Sequence, residues 1–169
     1  QIPHRLLIAT DAFDFADRDT AAALQPAIEK LARLIGDVGE AVLAPPGLAA
    51  WHRAQTTLQP HEASQTFADW VERANPRFQF SVARNLVQGA AIPVAERAWA
   101  SLVREEARGR MRQLLPSGTI LCLPTTPFPA PLRDQPLSAT DALRNRITCL
   151  CAHGGLTGVP QVNLPGATV

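Results

Sequence analysis

The order of the elements in the first 47 residues constrains the fold more than any other feature of the sequence. His4–Thr10 is a short apolar run typical of a buried strand, and Glu40–Ala44 is a second such run. Between them, residues 19–36 carry apolar side chains at helical spacing, and Pro45-Pro46-Gly47 ends the second run. Strand, helix and strand in this order form a βαβ unit with a parallel strand pair. The sequence therefore predicts the α/β class.

The helix of this unit is expected to begin near Asp19 or Thr20, and further elements follow it along the chain. Three helices are predicted next: Leu48–Arg73 (with a break near Pro60 left open), Phe80–Gly89, and a long helix opened by Pro93. A third strand (Thr119–Leu123), a proline-rich loop (Pro124–Pro136), a last helix from Thr140 or Asp141 to about His153, and a fourth strand (Val162–Leu164) complete the prediction.

Size and charge exclude several classes of protein. The chain has 169 residues, of which 46% are hydrophobic, enough to build the core of one soluble domain. A net charge of +1 provides no field that would attract nucleic acid or an anionic membrane. No apolar run has the length of a membrane-spanning helix, and no secretory leader pattern opens the chain. A cytoplasmic location is predicted.

The residue types that carry chemistry do not form a recognisable catalytic motif. None of the serines (Ser64, Ser81, Ser101, Ser117 and Ser138) lies in a nucleophile elbow or in a glycine-rich cluster. The only lysine, Lys30, lies on an amphipathic helix and is interpreted as a surface residue. The cysteines lack the spacing of redox or zinc sites and are interpreted as reduced core residues (Cys122, Cys149 and Cys151).

Histidine, metal and nucleotide chemistry receive equally little support. His4, His52, His61 and His153 have no metal-ligand spacing, although His153 beside Gly154-Gly155 leaves a loop site open. The turn after the first strand contains no glycine that would let a phosphate approach the backbone. The residues alone predict no complete active site.

Two segments late in the chain carry a resemblance to a known family. Residues 120–127 read Ile-Leu-Cys-Leu-Pro-Thr-Thr-Pro and are followed by Pro129-Ala130-Pro131. Residues 156–166 read Leu-Thr-Gly-Val-Pro-Gln-Val-Asn-Leu-Pro-Gly. Together with the Leu6–Asp11 strand, the helix after it and Pro45-Pro46, they resemble the later half of the amidase signature family.

The resemblance implies a fold and a chemistry. Residues 1–169 would form a single, partial amidase-signature domain, with a mixed β-sheet covered by helices and truncated at both ends. Amidases of this family use two serines and a lysine in a glycine- and serine-rich core upstream of the part matched here. No such run exists in this chain, so no catalytic residue is carried over. The resemblance implies neither a metal nor an organic cofactor.

The resemblance also implies pocket residues, because in relatives the loop after the Pro-Thr-x-Pro strand approaches the substrate channel. The candidates for a substrate-pocket wall are Thr125, Thr126, Pro127 and Phe128. Plain packing of a buried strand end is the alternative for the same four residues.

The function implied for the full-length protein is hydrolysis of a small-molecule carboxylic amide to an acid and ammonia or an amine. This segment would supply scaffold and pocket wall and would be inactive alone. Its expected partners are the remainder of the amidase chain or a partner subunit, and a homodimer is left open. Two alternatives remain: a catalytically inactive amidase-like binding or scaffold module, and a glutamine amidotransferase-type subunit.

Overall fold

The structure is a computed structural model that describes residues 2–167. Residues 1, 168 and 169 of the predicted domain lie outside the described part. Along the chain the elements are β1 (Arg5–Ala9), α1 (Thr10–Phe15), α2 (Arg18–Ile35), β2 (Asp37–Ala41), α3 (Leu48–Ala74), α4 (Phe80–Ala90), α5 (Val94–Leu114), β3 (Thr119–Cys122) and α6 (Leu137–Thr157). The α/β class predicted from the sequence is confirmed.

The sheet consists of three strands in the order β2-β1-β3 within the described residues. Both pairings are parallel, and Leu7 of the central strand lies opposite Gly39 on one side and Leu121 on the other. The parallel pair predicted from the first 47 residues is therefore confirmed. The mixed sheet implied by the resemblance is not seen, since every pairing between described strands is parallel.

The core lies between the sheet and the helices α3, α5 and α6. Leu6, Leu7 and Ala9 of β1 are all buried, as expected for a central parallel strand covered on both faces. Trp51 of α3 is only 1% exposed and packs with Met111 of α5 in the same apolar cluster. Burying a side chain of leucine size contributes about 1.5–3 kcal/mol, so this cluster is a principal source of stability.

Helix α3 runs unbroken through Pro60, the residue near which the sequence left undecided whether the helix breaks. Proline removes one helical hydrogen bond, and the neighbouring helix α4 packs directly against this point. His61 Nδ1 donates to the Gly89 carbonyl of α4 at 3.2 Å. Contact with α4 thus supports the turn that proline weakens.

Strand β2 begins and ends three residues earlier than the predicted Glu40–Ala44. The Asp11 carboxylate accepts the backbone N–H groups of Leu43 at 2.7 Å and of Ala44 at 2.8 Å. These two residues are fully buried although they lie in a loop. Of the predicted run, Glu40 and Ala41 pair with β1, whereas Leu43 and Ala44 are buried without pairing.

The predicted limits of α2 also need correction. Asp17, not Asp19 or Thr20, stands at the N-cap, and its side chain makes no capping hydrogen bond. That carboxylate accepts from Arg146 Nη2 at 2.7 Å instead. Residues 10–15 form the short helix α1, which was not predicted, and Thr10 belongs to it rather than to the first strand.

The end of the chain differs most from prediction. Helix α6 continues through Gly154 and Gly155 and ends at Thr157, and Gly158 at its C-cap adopts the left-handed conformation with φ 77°. The fourth strand predicted at Val162–Leu164 is wrong, since residues 158–167 form no strand. Val162 is 84% exposed and Leu164 is 72% exposed, so the short alternating pattern does not mark a buried strand.

Candidate functional site

A cavity of about 390 Å³ lies where the loop after β3, the first turns of α2 and the segment 163–167 meet. This volume is within the range of small-molecule sites. The loop leaves the carboxyl end of β3, the edge at which parallel α/β sheets commonly bind ligands. The residues that line the cavity include Thr20, Leu24, Thr125, Thr126, Phe128 and Asn163.

The loop that forms one wall is held at several points. Pro124 and Pro127 are fully buried, and the Pro127 carbonyl accepts the backbone N–H of Asp17 at 2.7 Å. Thr125 Oγ1 donates to Asn163 Oδ1 at 3.0 Å, and Cys151 Sγ donates to the Thr125 carbonyl at 3.6 Å. The wall is thus fixed to α2, to α6 and to the last described segment.

Phe128 provides the apolar part of this wall and is 8% exposed. The Arg146 guanidinium lies 5.3 Å from its ring centroid and 5.8 Å from that of Phe15, both within cation–π range. Arg146 also pairs with Asp17 at 2.7 Å. The positive charge near the cavity is therefore already compensated by a carboxylate.

Thr20 is the buried residue of α2, a helix that lies wholly within the described residues. Its side chain lines the cavity, and its Oγ1 is buried with no hydrogen-bond partner within residues 2–167. A buried hydroxyl without a partner costs about 1–3 kcal/mol. Such a cost is unusual and calls for a physical explanation.

Three of the four pocket residues predicted from the sequence line the cavity: Thr125, Thr126 and Phe128. The fourth, Pro127, lies behind the surface with a fully buried ring. Sequence reasoning missed Thr20 and Leu24, which lie more than a hundred residues earlier. Asn163 was quoted within a motif but was not assigned to a pocket, and no local signal connects it to Thr125.

His61 and His153 are engaged in structural contacts. His61 Nε2 lies 2.9 Å from Arg97 Nη1, while its neighbour Glu62 pairs with Arg104. His153 Nδ1 donates to the Leu150 carbonyl at 2.8 Å, and Gln161 Nε2 donates to His153 Nε2. Burial lowers the pKa of His153, and its hydrogen bond to the Leu150 carbonyl acts in the opposite direction.

The other groups that could act as nucleophiles or ligands are dispersed or inert. Burial raises the pKa of the thiols of Cys122, Cys149 and Cys151, which disfavours the reactive thiolate. Lys30 is exposed on α2, and Ser64 Oγ donates to a helical carbonyl, that of His61, at 2.7 Å. Among residues 2–167, no three His, Cys, Asp or Glu side chains cluster as metal ligands. No helix in this described part is long and apolar enough to cross a membrane.

Comparisons with known proteins identify similar chains. No protein-family model matches. Over 120 residues the chain is 24% identical to Amidase 1 of Arabidopsis thaliana, and the alignment covers 71% of this chain and 28% of that protein. A solved structure described as "Crystal structure of amidase" matches with a TM-score of 0.69 at 20% identity, over 98% of this chain and 40% of that chain. The chain thus spans less than half the length of either protein.

The parallel sheet, its covering helices and their arrangement define an α/β chain with the fold of part of an amidase. The 24% sequence identity to Amidase 1 supports the same relationship. The resemblance to amidases predicted from the sequence is therefore confirmed.

Proposed function

We propose that the whole protein hydrolyses a carboxylic amide to an acid and ammonia or an amine, by Ser-Ser-Lys chemistry. The segment described here supplies scaffold and one wall of the substrate pocket. The nucleophile and the base come from residues of the whole protein that lie outside these 169 residues. A cytoplasmic location remains a prediction from the sequence.

The observation that carries this proposal is the cavity itself. In a chain with an amidase-like fold, the Thr125–Phe128 loop forms a fixed wall beside a concave space of suitable size. Its apolar face and neutral polar groups suit an uncharged amide with an apolar body. The direct test measures ammonia release by the full-length protein from a set of neutral carboxylic amides. Absence of hydrolysis across that set would contradict the proposal.

Phe128 offers a sharper test of the pocket wall. Phe128→Ala should raise KM for amides with an apolar body about tenfold, because an apolar contact with the substrate is lost. Since this side chain is buried, alanine also costs stability, about 3–5 kcal/mol. Phe128→Leu retains most of the apolar volume and should show the same direction of change with less unfolding.

Phe67→Leu is the matched control for this experiment, because Phe67 is 48% exposed on α3 and does not line the cavity. Its kinetics should equal those of the wild type. Unchanged KM values for several amides in both Phe128 variants would remove Phe128 from the substrate pocket.

A catalytically inactive binding or scaffold module is the second candidate. It requires no nucleophile or base in this segment, where Lys30 is exposed and His61 and His153 make structural hydrogen bonds. Such a module would bind amides without releasing ammonia. A binding measurement alongside the hydrolysis assay separates the two functions.

A further inference from the structure

The hydroxyl of Thr20 behaves differently from the other helical threonine hydroxyls that contact a preceding turn. Thr56, Thr57, Thr140, Thr148 and Thr157 each donate to a carbonyl three or four residues earlier, at 2.6–3.2 Å. Thr20 Oγ1 is equally part of a helix and is buried, yet no partner lies within reach among the described residues.

Thr20 lies in the first turn of α2, where few carbonyls of the same helix precede it. The residue four positions earlier, Ala16, has extended backbone (φ −73°, ψ 152°), so its carbonyl does not belong to the helix. Position alone does not account for the missing bond, since the Pro136 carbonyl before α6 accepts both the backbone N–H and the hydroxyl of Thr140.

The Thr20 side chain lines the cavity, so a ligand can supply the missing partner. A helical threonine populates two χ1 rotamers, and rotation between them exchanges its methyl and hydroxyl groups. A threonine hydroxyl both donates and accepts, so it can bond either the N–H or the C=O of a neutral polar group.

The cavity contains no ionisable side chain among the described residues that line it. The residues with polar side chains among those that line it are Thr20, Thr125, Thr126 and Asn163. The nearby Arg146 is paired with Asp17, so an anionic ligand finds no free cation there. A carboxylate that enters such a site loses hydration without gaining a counter-charge.

We propose that rotation about χ1 turns the Thr20 hydroxyl into this cavity, where it bonds a neutral polar group, and that the lack of a free cation there disfavours the corresponding carboxylate. The inference rests on the proposed function, whose pocket Thr20 and Phe128 both line. For an amide hydrolase, this environment favours the uncharged substrate over the acid product.

The test compares the binding of benzamide and of benzoate by the full-length protein. These two ligands have similar shapes and differ in charge. Thr20→Val keeps the shape of the side chain and removes the hydroxyl. We expect it to lower benzamide affinity about tenfold, equivalent to about 1.4 kcal/mol, while benzoate binding stays weak. Isothermal titration calorimetry measures both affinities.

Thr57→Val is the matched control, because Thr57 is also buried in a helix but donates to the Arg53 carbonyl at 2.9 Å and does not line the cavity. This variant should retain benzamide affinity. Its Tm should fall, whereas the Tm of Thr20→Val should stay equal to or above that of the wild type, since no hydrogen bond is lost.

Three results would overturn the inference: unchanged benzamide affinity in Thr20→Val, benzoate binding as tight as benzamide, or no benzamide binding by the wild type. Failure of the proposed hydrolysis is distinguishable, because it appears as absent ammonia release while the difference between wild type and Thr20→Val in benzamide affinity persists.

Discussion

Asp11 illustrates how one side chain can fix the connection between two elements. It lies directly after β1, and its two carboxylate oxygens accept two successive backbone N–H groups, those of Leu43 and Ala44. Hydrogen bonds to an ionised group are stronger than neutral ones. This carboxylate holds the loop after β2 in a buried position that the strand ladder does not reach.

We expect Asp11→Ala to lower the free energy of unfolding by about 2–4 kcal/mol, because two backbone donors in a buried loop lose their acceptors. Asp14→Ala is the control, since Asp14 is exposed on the same short helix. Urea unfolding measures both variants. Equal midpoints for Asp11→Ala and wild type would show that water replaces the carboxylate without cost.

At the scale of single residues, the sequence predicts poorly which hydrogen-bond partner a polar side chain will have. Thr125, Thr126 and Phe128 were identified because a family-like motif surrounds them. Thr20 looked like a helix-capping residue, and nothing near it in sequence indicates a missing acceptor. Hydrogen-bond partners and shared cavities depend on which distant segments meet, and local patterns do not contain that information.

Helices α3 and α4 approach each other closely at Gly89. At no other glycine would an added Cβ lie nearer to a neighbouring atom among the described residues. A Cβ atom added to Gly89 would lie 2.1 Å from the Pro60 carbonyl oxygen and 2.3 Å from its carbon. Both are backbone atoms, which cannot move aside as a flexible side chain does. Glycine therefore lets α4 cover the turn of α3 in which proline removes a hydrogen bond.

Gly89→Ala should destabilise the protein by at least about 1–3 kcal/mol, the usual cost of overpacking, because α4 must move away from α3. Gly109→Ala in α5 is the matched helical control, where the nearest atom to an added Cβ is a side-chain nitrogen of Arg112 at 4.0 Å. That variant should gain up to about 1 kcal/mol from better helix propensity. Thermal unfolding checks both, and a stabilised Gly89→Ala would contradict the close packing.

Strands β1 and β3 and helix α3 lie close to their predicted bounds, whereas β2, α6 and the strand expected after α6 do not. Helix α3 begins at the predicted Leu48 and ends one residue beyond the predicted Arg73. Strand β2 is displaced by three residues, and the strand expected at Val162–Leu164 does not form. A short apolar run indicates burial, but only a neighbouring strand decides whether it pairs.

The cavity is a property of the whole molecule, because its walls come from three segments far apart in sequence. Residues 20–24, 125–130 and 163–167 meet beside the parallel sheet, and a Thr125–Asn163 hydrogen bond joins two of them. The last of these segments is held to α6 through Gln161 and His153. Whatever loosens this attachment loosens one wall of the cavity as well.

The attachment at His153 should make stability depend on pH. Burial holds the pKa of His153 below its ordinary value of 6.5 in the folded protein, so the unfolded chain binds more protons in mildly acidic solution. Stability should therefore be fully present above about pH 6.5 and decline as the pH falls below it, by at most about 1.4 kcal/mol per pH unit for one proton. Urea unfolding midpoints at pH 7.5 and 5.0 measure this slope.

His153→Asn keeps a donor for the Leu150 carbonyl and removes the titrating ring, so its slope between these two pH values should be smaller than that of the wild type. In this variant His52 should still make stability fall as the pH is lowered, because burial lowers its pKa as well. If His153→Asn keeps the full slope, the acid sensitivity originates elsewhere and the wall formed by residues 163–167 does not depend on a neutral His153.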